Sequence, residues 1–360
     1  MNIYFTSFNK TNNGEISDGW ANINFIKKGG FNHFSTRVFD LTEADFVVYI
    51  RKYEGASFVF DTALAGNIIS NNKKVIVFDY IEYGGSMMFA DEYLYEHDFL
   101  GYKIEGKFKS RLLSDYKDSG IQLIEYLEAF ASNKLIHCYF KRELSKMVDT
   151  SAASFPIFPC DYFNCDYSFP VESTADEFDK RNIDLLFTWG LSATDRPKLH
   201  GKILQEIEKF GNITMTQKHL DTCLKNEKKK LLFLYRAEAY DRINYNDYIP
   251  LCRTMIDLYG AGIKCFRNFE SAIDSVSFKQ DPSKLVYSYE WINNVNCIYL
   301  PNTKANKLDI DKSCDIIYDA IRINQGSLYK IYIESRKTAA KYENKSYSMN
   351  YIYPKIKNML

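Results

Sequence analysis

The segment Met255-Ile-Asp-Leu-Tyr-Gly-Ala-Gly-Ile-Lys-Cys-Phe-Arg-Asn-Phe-Glu270 concentrates residues that can do chemistry. An apolar strand predicted over 254–259 stops at Gly260 and Gly262. With no Cβ at these two positions, a backbone can pass close to a ligand. A helix is predicted over 266–275, and the free N–H groups and dipole at such a helix start favour a phosphate. Arg267 adds a planar guanidinium fork suited to a diphosphate. Glu270 lies three residues on, on about the same face, where a carboxylate can accept both hydroxyls of a ribose. The alternative for the same residues is a tight turn followed by an ordinary surface Arg–Glu pair.

Those residues need a scaffold of strands and helices. Residues 2–7, 44–50, 75–80 and 135–140 read as buried strands, and Val75-Ile-Val-Phe78 is apolar on both faces, as a central parallel strand requires. Helical spacing appears at 20–28, 57–71 and 120–132. After two prolines in the run Phe155 to Asp161, and an acidic stretch over 171–181, a second series begins at Ile183. It has strands at 183–190, 213–216, 231–235 and 254–259, with later apolar runs at 285–289 and 297–300. A loop carries Asp195, Arg196, Pro197 and Lys198, and helices are predicted at 199–210, 248–253 and 327–345.

Strand–helix alternation predicts right-handed crossovers and doubly wound parallel sheets. The expected fold class is α/β, with two Rossmann-like domains facing a cleft. Expected boundaries are 1–165 for the first domain, 166–182 for the linker, 183–335 for the second domain and 336–360 for C-terminal helices.

A strand, Gly-x-Gly, then Arg-x-x-Glu opening a helix resembles the donor-binding segment of GT-B glycosyltransferases, nearest to exostosin-like and related nucleotide-sugar transferases. Other pieces follow in the same order: Ile136 to Leu144 is similar to the last strand–helix of their N-terminal domains. The run Phe155 to Asp161 looks like their Pro-containing linker. Asp184 to Gly190, followed by Arg196 and Lys198, is similar to the first strand and basic loop of their donor domain. The C-terminal helices look like the pair that commonly returns to the N-terminal domain in that family. One departure is the lack of a second acidic residue seven positions beyond Glu270, where the segment Ser271 to Ser277 leads into Phe278.

The resemblance implies transfer of a sugar from a nucleotide diphosphate donor to a hydroxyl acceptor. It also implies that Arg196, Lys198 and Arg267 stabilise the departing diphosphate, a task for preorganised positive charge, with no obligatory metal or other cofactor. An inverting enzyme of this kind needs a general base. Asp18 and Asp79, in loops or strand ends of the first domain, are the candidates; the alternatives are a helix cap for Asp18 and a simple strand end for Asp79. The aromatic stretch from Tyr80 to Tyr95 offers rings to stack on sugars or bases, or is core and surface tyrosine. The acceptor is expected to be a glycan or glycoprotein. Hydroxymethylated DNA bases are an alternative, and a non-catalytic two-domain ligand clamp is another.

Composition narrows the classes. The 360 residues include 28 Tyr and 26 Phe and are 46% hydrophobic, too apolar for a disordered chain. Lys plus Arg and Asp plus Glu are each 46, so bulk electrostatic coating of nucleic acid is not expected. Eight scattered cysteines, with no paired zinc spacing, read as reduced buried thiols. With no basic leader and no long apolar run, a cytoplasmic protein is expected, in the host cytoplasm if virus- or phage-encoded. Asp309-Ile-Asp311 reads as a helix cap, His137 as a core histidine, and no metal site is expected.

Overall fold

A computed structural model describes residues 1–7, 30–51, 62–79, 129–142, 144, 146, 153–161, 169–189, 195–210, 214–216, 230–235, 248–259, 267–281, 283, 285–304 and 307–359. The chain forms two units. The first comprises Met1–Cys165, Lys284–Ser288 and Glu343–Leu360; the second comprises Asp166–Ser283 and Tyr289–Tyr342.

In the first unit the elements are β1 (Asn2–Ser7), β2 (Thr36–Val38), β3 (Phe46–Arg51), α1 (Thr62–Ser70), β4 (Lys74–Asp79), β5 (Ile136–Lys141) and β6 (Ile157–Pro159). The strands make one parallel sheet in the order β2-β1-β3-β4-β5-β6. Alternate residues of β4 serve opposite faces. Val75 and Val77 join Val47, Ala65, Ile68 and Phe130 on one side. Phe78 stacks on Phe140 at 4.6 Å and meets Phe31 edge-on at 5.5 Å. Such two-sided burial is what the continuous apolar run encodes.

The run Phe155 to Asp161, expected as a linker, instead supplies an edge strand. Ile157 pairs with Tyr139, and Pro159 with Lys141. An edge position has one side without a ladder, so proline's missing N–H is tolerated there. The 285–289 run, expected as a strand, is not one of the sheet strands. Its residues up to Ser288 belong with the first unit, where Val286 N donates to Leu144 O at 2.8 Å and Ser288 N to Asp161 Oδ2 at 2.8 Å. The C-terminal segment also belongs to this unit, with His137 Nε2 donating to Ile356 O at 2.9 Å.

The second unit contains α2 (Ala175–Asp179), β7 (Ile183–Trp189), α3 (Asp195–Gln205), β8 (Thr214–Thr216), β9 (Lys230–Tyr235), β10 (Cys252–Asp257), α4 (Arg267–Ile273), β11 (Val276–Gln280), β12 (Ile298–Leu300), α5 (Ile310–Tyr318) and α6 (Gln325–Ala340). Its sheet is parallel in the order β12-β11-β10-β7-β9-β8. The stretch expected as a connector contains α2, closed by a capping box in which Thr174 and Glu177 satisfy each other's backbone N–H groups. The expected helix over 248–253 is a single 3-10 turn at Ile249–Leu251, and β10 begins at Cys252. Helix α6 stays in the second unit, and the return to the first unit comes after Tyr342. One core cluster includes Leu185, Phe187, Leu199, Ile256, Phe278 and Tyr332, and a second gathers Ile183, Leu186, Leu232, Ile249 and Met255.

Strand order reverses between β7 and β10: later strands go to one side, β9 and β8 to the other. In open parallel sheets ligands collect beyond the carboxyl ends of strands at this switch point.

Candidate functional site

Two strand-to-helix connections flank the switch point: β7 to α3, and β10 to α4. Helix α3 begins at Asp195, four residues before the start expected from the sequence. Proline is tolerated in a first turn, where its missing N–H has no helical partner, and an acidic Asp195 there complements the helix dipole. Arg196 and Lys198 therefore sit in the first turn of a helix, not in a loop.

Their environments differ. Arg196 is 5% exposed, and its Nη2 donates to Leu258 O at 2.7 Å. That bond joins the start of α3 to the chain just beyond β10, across the switch point. Lys198 is open to solvent, with its Nζ 3.9 Å from Asp195 Oδ1. The expected pair of displayed cations is thus one internal brace and one exposed ammonium. Asp195 also accepts from Leu308 N at 3.0 Å, tying α3 to the segment after β12.

The end of β10 is held tightly. Asp257 Oδ2 lies 2.8 Å from Lys279 Nζ, with both side chains at most 2% exposed. The two residues are register partners on β10 and β11. The Lys279 ammonium lies 4.1 Å from the centre of the Trp291 ring. Tyr259 N donates to Gln280 Oε1 at 3.2 Å, and Gln280 Nε2 donates to Asn302 Oδ1 at 2.9 Å. The Tyr259 phenol donates to the Asp281 carbonyl.

Gly260 and Gly262 follow at once in sequence, but lie outside the described residues. Arg267 opens α4, and Glu270 is in its first turn and half-buried. The far end of α4 is gripped by two arginines. Arg336 Nη1 donates to Ile273 O at 3.0 Å and meets Asp274 Oδ1 at 2.5 Å, while Arg181 Nη2 donates to Asp274 Oδ2 at 3.0 Å. Tyr332 donates to Asp274 Oδ1 at 2.8 Å. Cations at a helix C-terminus complement its dipole.

Sequence reasoning missed Lys279, Gln280, Asn302, Arg181, Arg336 and Asp274. For β11 there was a signal: apolar Val276 and Phe278 alternate with Ser277 and Lys279, the period of a strand. All five residues of β11 are buried, so the polar alternates are interior groups with partners.

The remaining candidates divide. Asp79 closes β4 and is fully buried, with Lys141 Nζ at 3.2 Å and the Tyr139 hydroxyl donating at 2.5 Å. The Asp79 carboxylate is thus withdrawn from water and paired with a buried ammonium at the end of the strand. Asp18, the Tyr80–Tyr95 stretch and His97 lie outside the described residues. His200 packs against the rings of Phe233 and Phe187, at 4.7 and 6.3 Å, and burial holds its pKa below the usual imidazole value. Asp309 caps α5, accepting from Lys312 N at 3.2 Å. Cys138, Cys160, Cys252, Cys297 and Cys314 are free and buried, and burial pushes the Cys297 thiol up to about 12. Among the described residues no group of three or more His, Cys, Asp or Glu side chains is arranged to hold a metal ion. No described helix is long and apolar enough to cross a membrane.

No family model matches the sequence, and no curated protein matches it. Solved structures with a similar arrangement include the Anabaena protein HepE in complex with UDP and glucose, at 9% identity and TM-score 0.46 over 99% of this chain and 100% of that one. T4 phage BGT, in complex with its UDP-glucose substrate, is 8% identical with TM-score 0.43 over 99% of each chain. The pneumococcal O-GlcNAc transferase GtfA, in complex with UDP and GlcNAc, is 10% identical with TM-score 0.43 over 88% of this chain. The chain spans 57% of the length of GtfA.

Proposed function

We propose that this chain is a glycosyltransferase of the GT-B kind, moving a sugar from a nucleotide diphosphate donor to the hydroxyl of a glycan or glycoprotein. The observation that carries the reading is the 2.7 Å bond from Arg196 to Leu258 O. It joins both connections at the switch point of the second sheet and fixes the strand from which the chain runs into Gly260-Ala-Gly262. UDP and a sugar are bound to the similar proteins GtfA and HepE, which agrees with this reading but does not carry it.

In this reading the donor's diphosphate lies against the start of α3 and the residues following Tyr259. Lys198 and Arg267 take the charge that develops as the bond from the anomeric carbon to the phosphate oxygen breaks. Arg196 holds the strand end in place. Glu270 accepts from the ribose hydroxyls. The acceptor hydroxyl attacks the anomeric carbon and loses its proton to a carboxylate, for which Asp18 and Asp79 are the candidates.

The test is a thermal-shift series with nucleoside diphosphates and nucleotide sugars, without added metal. A ligand at 100 times its Kd stabilises by about 2.7 kcal/mol. The expected result is a shift with one nucleoside diphosphate, lost in Arg267→Ala and Glu270→Ala. A folded chain that shifts with none of them would count against the transferase and favour a clamp for another ligand.

A further inference from the structure

We propose that Gln280 is a positioning residue for the diphosphate of the nucleotide, acting through the backbone of Tyr259, and that Asn302 sets its orientation. This rests on the donor-site reading above and deepens it. The parallel ladder between β10 and β11 has its last register pair at Asp257 and Lys279. Just beyond that pair the next backbone donor in line, Tyr259 N–H, is taken up by a side chain, Gln280 Oε1 at 3.2 Å. Exchanging a ladder bond for a side-chain bond frees the strand to leave the sheet while its N–H stays satisfied.

The amide has one productive orientation. Gln280 is 3% exposed, its oxygen faces a donor, and its nitrogen donates to Asn302 Oδ1 at 2.9 Å. Turning the amide over would set an NH2 group against the N–H of Tyr259 and an oxygen against Asn302 Oδ1. Two further bonds hold the same dipeptide: Arg196 Nη2 to Leu258 O at 2.7 Å, and the Tyr259 phenol to the Asp281 carbonyl. Leu258 and Tyr259 are thus held from α3, from β11 and from the residue after β11. Only Gly260 follows, the first residue of the Gly-x-Gly proposed to lie along the diphosphate. Among these contacts the backbone N–H of Tyr259, the last described residue before Gly260, is held by Gln280, which lies 21 residues downstream.

The experiment measures binding of UDP, GDP, ADP, CDP and TDP, and of their parent nucleosides, by titration calorimetry. It compares the unmodified chain with Gln280→Met and Asn302→Ala. Met keeps the length of the side chain and removes both bonds. The expected result is a loss of at least about tenfold in affinity for the preferred diphosphate in Gln280→Met. Its parent nucleoside should lose markedly less, so that the ratio of the two affinities falls. Asn302→Ala, which leaves the acceptor but releases its orientation, should lower the ratio in the same direction by a smaller factor. A lowered melting temperature with an unchanged ratio in either folded variant overturns the proposal, because a purely structural role would do that. If Gln280→Met does not fold, the Asn302→Ala ratio decides alone. An unmodified chain that binds none of the diphosphates overturns the donor-site reading and this proposal with it. Tight binding by the unmodified chain with an unchanged ratio in the variants overturns only the proposal.

Discussion

Replacing Lys279 with Met removes an ammonium paired with the buried Asp257 carboxylate. The carboxylate and ammonium are 2.8 Å apart, and neither side chain is more than 2% exposed. At this depth the loss of one partner exposes the full desolvation penalty of the other, typically about 3–5 kcal/mol. The ammonium also lies 4.1 Å from the Trp291 ring centre, and a desolvated cation–π contact adds up to about 2 kcal/mol. Met preserves most of the stem, so packing changes little. The loss should therefore fall near the upper part of that range. For a domain of this size class each kcal/mol lowers Tm by about 2–4 °C, so a drop of roughly 8–20 °C is expected. The double variant Asp257→Val/Lys279→Met removes both charges and should recover most of the loss, because a buried pair is worth little against an apolar replacement. Urea unfolding of the four proteins of the cycle gives the coupling energy directly. A single-variant cost under about 1 kcal/mol, or a double variant whose cost is the sum of the two singles, refutes the claim that these charges are buried and mutually dependent.

Arg196→Met removes the bond to Leu258 O, a hydrogen bond from a charged donor worth about 1.5–3 kcal/mol, and should weaken nucleoside diphosphate binding at least about tenfold by calorimetry. Asp79→Asn should lower Tm by breaking the buried pair with Lys141, whereas Asp18→Asn should abolish sugar transfer with donor binding retained; the two are separated by thermal melts beside a turnover assay. His200 binds a proton less readily when folded than when unfolded, so its contribution is complete above the unfolded value, about 6.5, and is lost as pH falls from there through the lower folded value. The Tm difference between pH 7.5 and pH 5 should accordingly shrink in His200→Phe, and an equal difference in both proteins contradicts the assignment.

The local rules of the chain were legible in its sequence. Val75 to Phe78 reads as a central strand and is one, because a strand apolar on both faces has no other place to go. Asp309 reads as a cap and accepts from Lys312 N, because capping depends on residues three apart. The alternation of strands and helices implied two doubly wound sheets, and the chain has them. What escaped were features whose meaning depends on strand order. Pro159 was taken as a linker residue until the sheet showed that β6 lies at an edge. Lys279 and Gln280 are polar, yet β11 is buried between β10 and β12.

The partners of the charged residues show the same division most clearly. Arg196 was marked by its type and by its place after the first strand of the second series. Its partner, Leu258 O, is 62 residues away and becomes a neighbour only because β10 lies beside β7 in the sheet. Asp274 meets Arg181 across 93 residues and Arg336 across 62. Residue type and short spacing are written in the chain and decide helix starts, strand faces and the kinds of ligand a segment suits. Which charge neutralises which, and whether a carboxylate such as Asp79 stands open or is enclosed, is set by tertiary packing. Burial changes the cost of an unpaired charge from near nothing to several kcal/mol.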